Sequence, residues 1–429
     1  MSAEVKLSTR NALRVLRAGP FRRYIIGSAI SDTGTWMQVM AQGFVMSTLT
    51  SKALLLGMAN FAAGLPMLAL TMIGGSVADR VDKRKILLAT QYAQIALAIS
   101  MGLLIWSGKI EIWHIVVFAA LLGISNSFEM PTLTAFVPEL VKRDEIQSAI
   151  AIDRAVFHGS RVVGPALAGI FISAWGAASA FFVNAFSFIA FIVALYIIPP
   201  RRRGSAEEEA KRASGIKDGF RYIAGDKPSL AMIALIATTT VFIFPIFTVM
   251  MPLYVRIVLG MGADKFGFLM GASAVGSVVG AIFLISVPRD RRVPLMMINV
   301  AVAACVIFSL SLAPSFYLAT VLLIFNSLAL SMNFGLANTI VQERAPDYLR
   351  GRVAAVFMLS FVGLMPLAGL GITGLSDLIG MRKAIGIAAI CYGVIGLLVL
   401  ARVRGQCTEQ PISEAEPAKT PAPPMAAAV

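Results

Sequence analysis

Three cysteines, two histidines and a charged fraction of 14% in 429 residues exclude several classes of protein before any motif is sought. Cys305, Cys391 and Cys407 show neither metal-ligand spacing nor the density of a disulfide framework. His114 and His158 are far apart, so no centre that gathers nucleophile, base and metal ligands is in view and an enzyme is not expected. The nucleotide-cradling pattern G-x-x-x-x-G-K-[ST] is also missing, which argues against an ATP-driven pump. No cofactor or metal is expected. The low charge stands beside 58% hydrophobic residues, more than a soluble fold of this length could hide.

What fills the chain instead is twelve apolar stretches, each long enough to span a bilayer: 24–49, 53–78, 86–106, 112–137, 146–174, 177–198, 230–259, 266–287, 293–312, 317–341, 353–378 and 384–403. In lipid the backbone must satisfy its own polar groups, so segments of this length are helices. The fold class is therefore all-α and integral to a membrane, with twelve transmembrane helices in two six-helix bundles. The expected divisions are a basic arm (1–23), an N-terminal bundle (24–198), a linker with a surface helix (199–229), a C-terminal bundle (230–404) and a disordered tail (405–429). In the linker, Ile216, Phe220 and Ile223 share one helical face and suggest a helix lying on the membrane surface.

A net charge of +14 would first suggest nucleic acid, but its placement does not. Of the 37 Lys and Arg, 29 fall on the side of the N-terminus, the linker and the tail, and six on the other. This asymmetry predicts cytoplasmic termini in a cell (inner) membrane, with the basic loops facing anionic lipid and no nucleic-acid partner. Two features suggest duplication. Val137-Pro138-Glu139 after span 4 is matched by Ala345-Pro346-Asp347 after span 10, and glycines concentrate in spans 2, 5, 8 and 11.

Span 2 closes in Gly75-Ser76-Val77-Ala78-Asp79-Arg80-Val81-Asp82-Lys83-Arg84. This run resembles the loop 2–3 signature of the major facilitator superfamily, G-x-L-A-D-R-x-G-R-K/R. Span 5 contains Ser160-Arg161-Val162-Val163-Gly164-Pro165-Ala166-Leu167-Ala168-Gly169, which looks like the Gly-Pro motif of its antiporters. With Pro346 to Val353, the pattern is most similar to the enterobactin-exporter and macrolide-efflux type of drug:proton antiporter. The resemblance covers roughly Phe21 to Arg404. It implies that Gly75, Asp79, Arg80, Lys83 and Arg84 form a conformational latch, with Asp79 approaching the N-terminus of span 11, where a helix dipole favours a carboxylate. Gly164, Pro165 and Gly169 would be the antiporter motif. Asp82 stands where the signature has glycine, a residue that would serve a tight turn.

Charges inside spans are costly and point to function. Asp32 lies near the middle of span 1, followed along one stripe by Thr35, Gln38 and Gln42. Span 5 carries Arg154, His158 and Arg161 at one helical face, and span 4 carries Glu129. Asp32, Glu129, Arg154, His158 and Arg161 are the candidates for proton coupling or substrate contact. An ion pair of Arg161 with Asp32 or Glu129 is the structural alternative. Gln38, Gln42, Asn326, Asn333 and Asn338 are candidate cavity walls, whereas Phe242, Phe244 and Phe247 read as packing. The expected function is proton-coupled export of an amphipathic small molecule, such as a siderophore or drug, by a monomer that meets only its substrate, protons and lipid. A lysophospholipid or anionic-nutrient carrier on the same fold remains the alternative.

Overall fold

The computed structural model describes residues 14–16, 19–199, 216–284, 286–346 and 348–404. Most of the basic arm, the Arg201 to Glu209 part of the linker, Asp347 and the tail 405–429 lie outside the described residues. The first six helices are α1 (Gly19–Leu49), α2 (Ala53–Arg80), α3 (Lys83–Trp106), α4 (Ile112–Phe136), α5 (Ile146–Trp175) and α6 (Ala178–Ile197). After the linker helix Ile216–Gly225 come α7 (Lys227–Val258), α8 (Ala263–Leu284), α9 (Arg292–Leu312), α10 (Phe316–Arg344), α11 (Arg350–Ile379) and α12 (Met381–Ala401).

Eleven of the helices among the described residues are long and apolar enough to cross a membrane. The remaining long helix is α1, whose 31 residues include Asp32, Gln38, Gln42 and several hydroxyls. It nevertheless packs lengthwise against α5 and α6, as a span does.

The packing repeats between halves. Contacts of α2 with α4, α1 with α6, α3 with α6 and α3 with α4 recur as α8 with α10, α7 with α12, α9 with α12 and α9 with α10. Across the halves α5 meets α8 and α2 meets α11, again a symmetric pair. Both cross-contacts lie toward one end of the molecule, the distal end, which carries the turns after α1, α7 and α11. A Cβ on Gly267 of α8 would lie 2.6 Å from the Pro165 carbonyl oxygen of α5, so only glycine permits this approach. The opposite end carries the α2–α3 loop and the linker helix and is called here the linker end.

Prolines shape two helices. α11 is interrupted at Gly363 and Leu364, one turn before Pro366 would have continued it, and resumes at Met365. α7 carries Pro245 and Pro252 and passes through π-helical turns at Ile246–Met250 and Tyr254–Val258.

The linker helix has one packed and one open side. Ile223 is buried, but Phe220 is exposed. The packed side is Gly219 against the Arg352 backbone, with Tyr222 Oη donating to the Arg344 carbonyl at 2.6 Å and Arg352 pairing with Asp218 at 2.8 Å. A bare glycine surface lets this helix sit on the start of α11, and polar contacts to α10 and α11 then fix its rotation.

Candidate transport site

Among the described residues, the acidic side chains away from the ends of the spans lie in the first half. On α1, Ser28 Oγ donates to Asp32 Oδ2 at 2.9 Å. Tyr24, one turn earlier, is buried among Phe21, Phe136 and Phe191 and donates its hydroxyl to Asp153 Oδ1 of α5 at 2.9 Å. Glu129 of α4 is held by two amides of α3: Gln91 Nε2 donates to Oε1 at 2.7 Å, and Gln94 Nε2 donates to Oε2. Gln94 also donates to Ser125 Oγ at 3.1 Å. Among the described residues none of these three carboxylates has an ion-pair partner, and Asp32 lies within electrostatic reach of both Asp153 and Glu129.

The bases line up on α5. Arg154, His158 and Arg161 are all exposed along this helix. The Arg161 guanidinium lies over the Trp36 ring of α1, 5.1 Å from its centroid, and Trp36 meets Phe157 edge-on at 5.9 Å. A cation over an indole face is stabilised by the ring quadrupole without losing its charge. The ion pair expected for Arg161 with Asp32 or Glu129 is not formed: Glu129 is held by amides, Asp32 by Ser28, and Arg161 by an aromatic face. Each of these half-buried carboxylates is thus held by neutral donors, and the Arg161 guanidinium by an aromatic face.

The remaining candidates are distributed differently. Gln38 is buried between α1 and α6, where Asn184 Nδ2 donates to its Oε1 at 2.8 Å, so it is a packing contact and not a cavity wall. The period of α1 placed it on the Asp32 stripe, and Asn184 is what draws it inward. Asn326 and Asn333 are fully buried inside the second half, while Gln42 and Asn338 are half-buried. Phe244, Phe334, Phe357 and Phe361 form an aromatic cluster, with Phe244 and Phe361 edge-on at 4.6 Å. The groove between α3 and α4, about 610 Å³, is lined by alanines, leucines and isoleucines with exposed Leu121 and Ile124. Such a surface suits lipid chains.

In the loop signature, Lys83 Nζ pairs with Glu139 Oε1 at 2.6 Å. Arg84 donates to the carbonyls of Tyr196 and Ile198 and lies over the Tyr196 ring. Asp79 and Arg80 are exposed, and Gly75 is 4.0 Å from Pro131 measured from an ideal Cβ. Asp82, the departure from glycine, has φ −60° and ψ 116° and accepts from Arg84 N at 2.9 Å, so it caps α3 and needs no glycine conformation. In the span 5 motif, a Cβ on Gly164 would lie 2.8 Å from the Thr33 carbonyl of α1, and Gly169 faces α8. Pro165 is buried inside α5.

This arrangement of twelve helices, loop signature and charged first half has a counterpart among known proteins. A model of the transmembrane secretion effector family matches residues 10–429. The chain belongs to this family of major facilitator transporters. It is a multi-pass membrane transporter of small molecules and not an enzyme. Among its relatives, the staphyloferrin A transporter of Staphylococcus aureus is 24% identical over 379 residues, covering 84% of this chain and 91% of that protein. The multidrug efflux pump Tap of Mycobacterium tuberculosis is 23% identical, covering 90% and 94% respectively. The enterobactin exporter of Shigella boydii is also 23% identical, covering 91% and 94%. The fold matches that of the nucleoside transporter NupG with a TM-score of 0.69 at 12% identity, over 89% of this chain and 99% of that one.

Sequence reasoning passed over Tyr24, Trp36, Gln91, Gln94 and Asn184. Gln91 and Gln94 carried a signal, since two glutamines three apart inside an apolar span share one helical face and need a polar partner. Tyr24 and Trp36 carried none, because their roles depend on side chains from α5 that no local pattern reveals.

Proposed function

We propose that this transporter exports an amphipathic small molecule with anionic groups, of the siderophore or drug kind, in exchange for protons, with both termini in the cytoplasm. The observation that carries the reading is the separation of charge in the first half. Arg154, His158 and Arg161 lie exposed on α5 and form no ion pair within 4 Å among the described residues, although Arg154 acts electrostatically on the neighbouring Asp153; Asp32, Glu129 and Asp153 accept hydrogen bonds from neutral donors. Guanidinium groups bind carboxylate or catecholate oxygens as forks, so the α5 face suits the substrate and the acids suit the proton. One proton moving down a potential of 100 mV releases about 2.3 kcal/mol, enough to drive accumulation of a bound solute. Relatives named for staphyloferrin A, enterobactin and multidrug transport support the substrate range. In alternating access the protonated acids would accompany one orientation of the halves and the substrate the other.

The test is purified protein in liposomes holding a pH-sensitive dye, with siderophores, macrolides, organic cations and lysophospholipids offered in turn. Substrate-triggered proton flux that Asp32→Asn abolishes is the expected result. Labelled solute crossing without proton movement would replace antiport with a uniporter or lipid carrier.

A further inference from the structure

At the distal end, the carboxylate of Asp377, in the last turn of α11, accepts hydrogen bonds from the first two amides of α2. Ala53 N donates to Oδ1 at 2.7 Å and Leu54 N to Oδ2 at 2.9 Å. The residue before α2, Lys52, gives the helix no side-chain cap, so a group from the other half of the molecule satisfies these amides. The first amides of a helix have no partner within it, and its positive end favours an anion. The contact is therefore both a cap and a tie between halves.

The two helices run antiparallel in strict step from this point. After Ala53 opposite Asp377 comes Gly57 against Thr373, then Gly64 against Pro366. Each advance along α2 is matched by an equal retreat along α11. The same step continued to Asp79, in the last turn of α2, arrives at Gly351, in the first turn of α11. At present that end is apart: Asp79 is exposed, and nothing lies within 4 Å of a Cβ position on Gly351. Each helix of this pair thus ends in an acid, and by this count, carried across the break at Gly363 and Leu364, Asp79 answers Gly351 as Asp377 answers Ala53.

We propose that Asp377 and Asp79 form a two-ended latch, in which each carboxylate caps the partner helix in one orientation only. With Asp377 seated on α2, the distal end is shut and the linker end is free. Rocking of the halves about the Gly57–Gly64 contact withdraws Asp377 and brings Asp79 to α11. The loop signature implies only the Asp79 end; the Asp377 end and its equivalence come from the antiparallel register. The inference rests on helix geometry and holds for any substrate or coupling ion.

The experiment is pulsed electron–electron distance measurement on full-length protein in lipid nanodiscs, with Cys305, Cys391 and Cys407 replaced by serine. One label pair replaces Lys52 and Leu378 at the distal end, and another replaces Val81 and Tyr348 at the linker end. Asp377→Asn should move the ratio of distal-closed to distal-open molecules roughly fivefold toward open, the effect of losing one well-placed helix-terminal charge. Asp79→Asn should move it the other way, and the double variant should return near the parent ratio. That return also shows that the variants are folded. Unchanged distances in Asp377→Asn, or shifts of both single variants in the same direction, would overturn the latch.

Discussion

The two halves share a helix arrangement but differ in what they place inside the spans. In the first half Asp32, Glu129, Asp153, Arg154, His158 and Arg161 lie within α1, α4 and α5. In the second, the buried polar side chains inside the spans are amides and hydroxyls such as Asn299, Asn326, Asn333 and Thr239. Its charges sit at helix ends: Asp226 before α7, Arg344 closing α10, Asp377 closing α11 and Arg382 opening α12. Two bundles with the same packing pairs show that the fold does not need intramembrane charge. An ionisable group in a membrane costs several kcal/mol unless paired, and its concentration in one half is what the proposed coupling rests on.

The sharpest way to break this comparison is to remove charge from one half and amide from the other. Truncating a desolvated charged contact costs about 2–5 kcal/mol. Asp32→Asn and Arg161→Ala should therefore slow substrate-driven proton flux in liposomes at least about thirtyfold, on the same scale. Asn333→Ala, removing a buried amide from the second half, should leave the flux within about threefold, as expected of a group that serves packing. Equal losses in both halves would end the division of labour.

The next effect concerns stability and lies outside the spans. Asp226 stands just before α7, with its side chain only 10% exposed. Burial alone would raise its pKa, but bonds from Arg344 and Ser229 outweigh that and hold the carboxyl below the usual carboxylate range. Arg344 Nη2 reaches Oδ1 at 2.7 Å, and the Ser229 hydroxyl reaches Oδ2 at 2.5 Å. A carboxyl whose folded pKa is depressed stabilises the fold above its unfolded pKa and loses that contribution as pH falls through the folded value. Asp226→Ala should cost about 1.5–3 kcal/mol at neutral pH, since it removes the charge-assisted hydrogen bonds from Arg344. Thermal melts in detergent should show the gap to the parent protein narrowing as the pH drops below about 4.

How far the sequence reveals the molecule follows the same division. Hydropathy and the Gly-Pro patterns locate the helices, because lipid leaves a long apolar segment no other structure. The starts of α1 and α7 lie a few residues before the expected spans, because Arg22, Arg23 and Lys227 are charged yet helical. The break at Gly363 is marked by Pro366, and the cap on α3 by Asp82, yet each also depends on the neighbours that receive it. Charges inside spans are legible as candidates from one helix alone. Their partners are not, since Arg161 turns to Trp36 and Gln38 to Asn184 through contacts 125 and 146 residues apart in the chain. The tie from Asp377 to Ala53 is less visible still, because the acid sits at a helix end where an exposed charge is ordinary.

A smaller and opposite effect should come from the second half. Asn326 is fully buried, and neither of its side-chain polar atoms has a hydrogen-bond partner among the described residues. Burying an unsatisfied amide costs about 1–3 kcal/mol. Asn326→Leu, of similar size, should raise the melting temperature with transport retained. A fall in stability would show that the amide is satisfied, for instance by water, and that the second half uses its polar core more than its packing indicates.

The smallest effect tests the symmetry itself. Lys83, opening α3, pairs with Glu139 after α4; Arg292, opening α9, pairs with Glu343 near the end of α10 at 2.7 Å. A tie from the start of the third helix to the end of the fourth thus occurs in both halves, with the second-half acid one helical turn earlier, and Arg289 adds a second contact to Glu343 at 3.3 Å. Glu139 and Glu343 are 43% and 36% exposed, so water and salt screen both pairs. Double-mutant cycles on thermal stability should give about 1 kcal/mol or less for each, and less again in high salt. The Arg292 pair should be the stronger, because a guanidinium holds a carboxylate in a fixed fork and Arg289 shares it. If the Lys83 pair proved worth several kcal/mol, the linker end of the first half would be held by charge where the second is held by packing. The asymmetry of the spans would then extend to their ends.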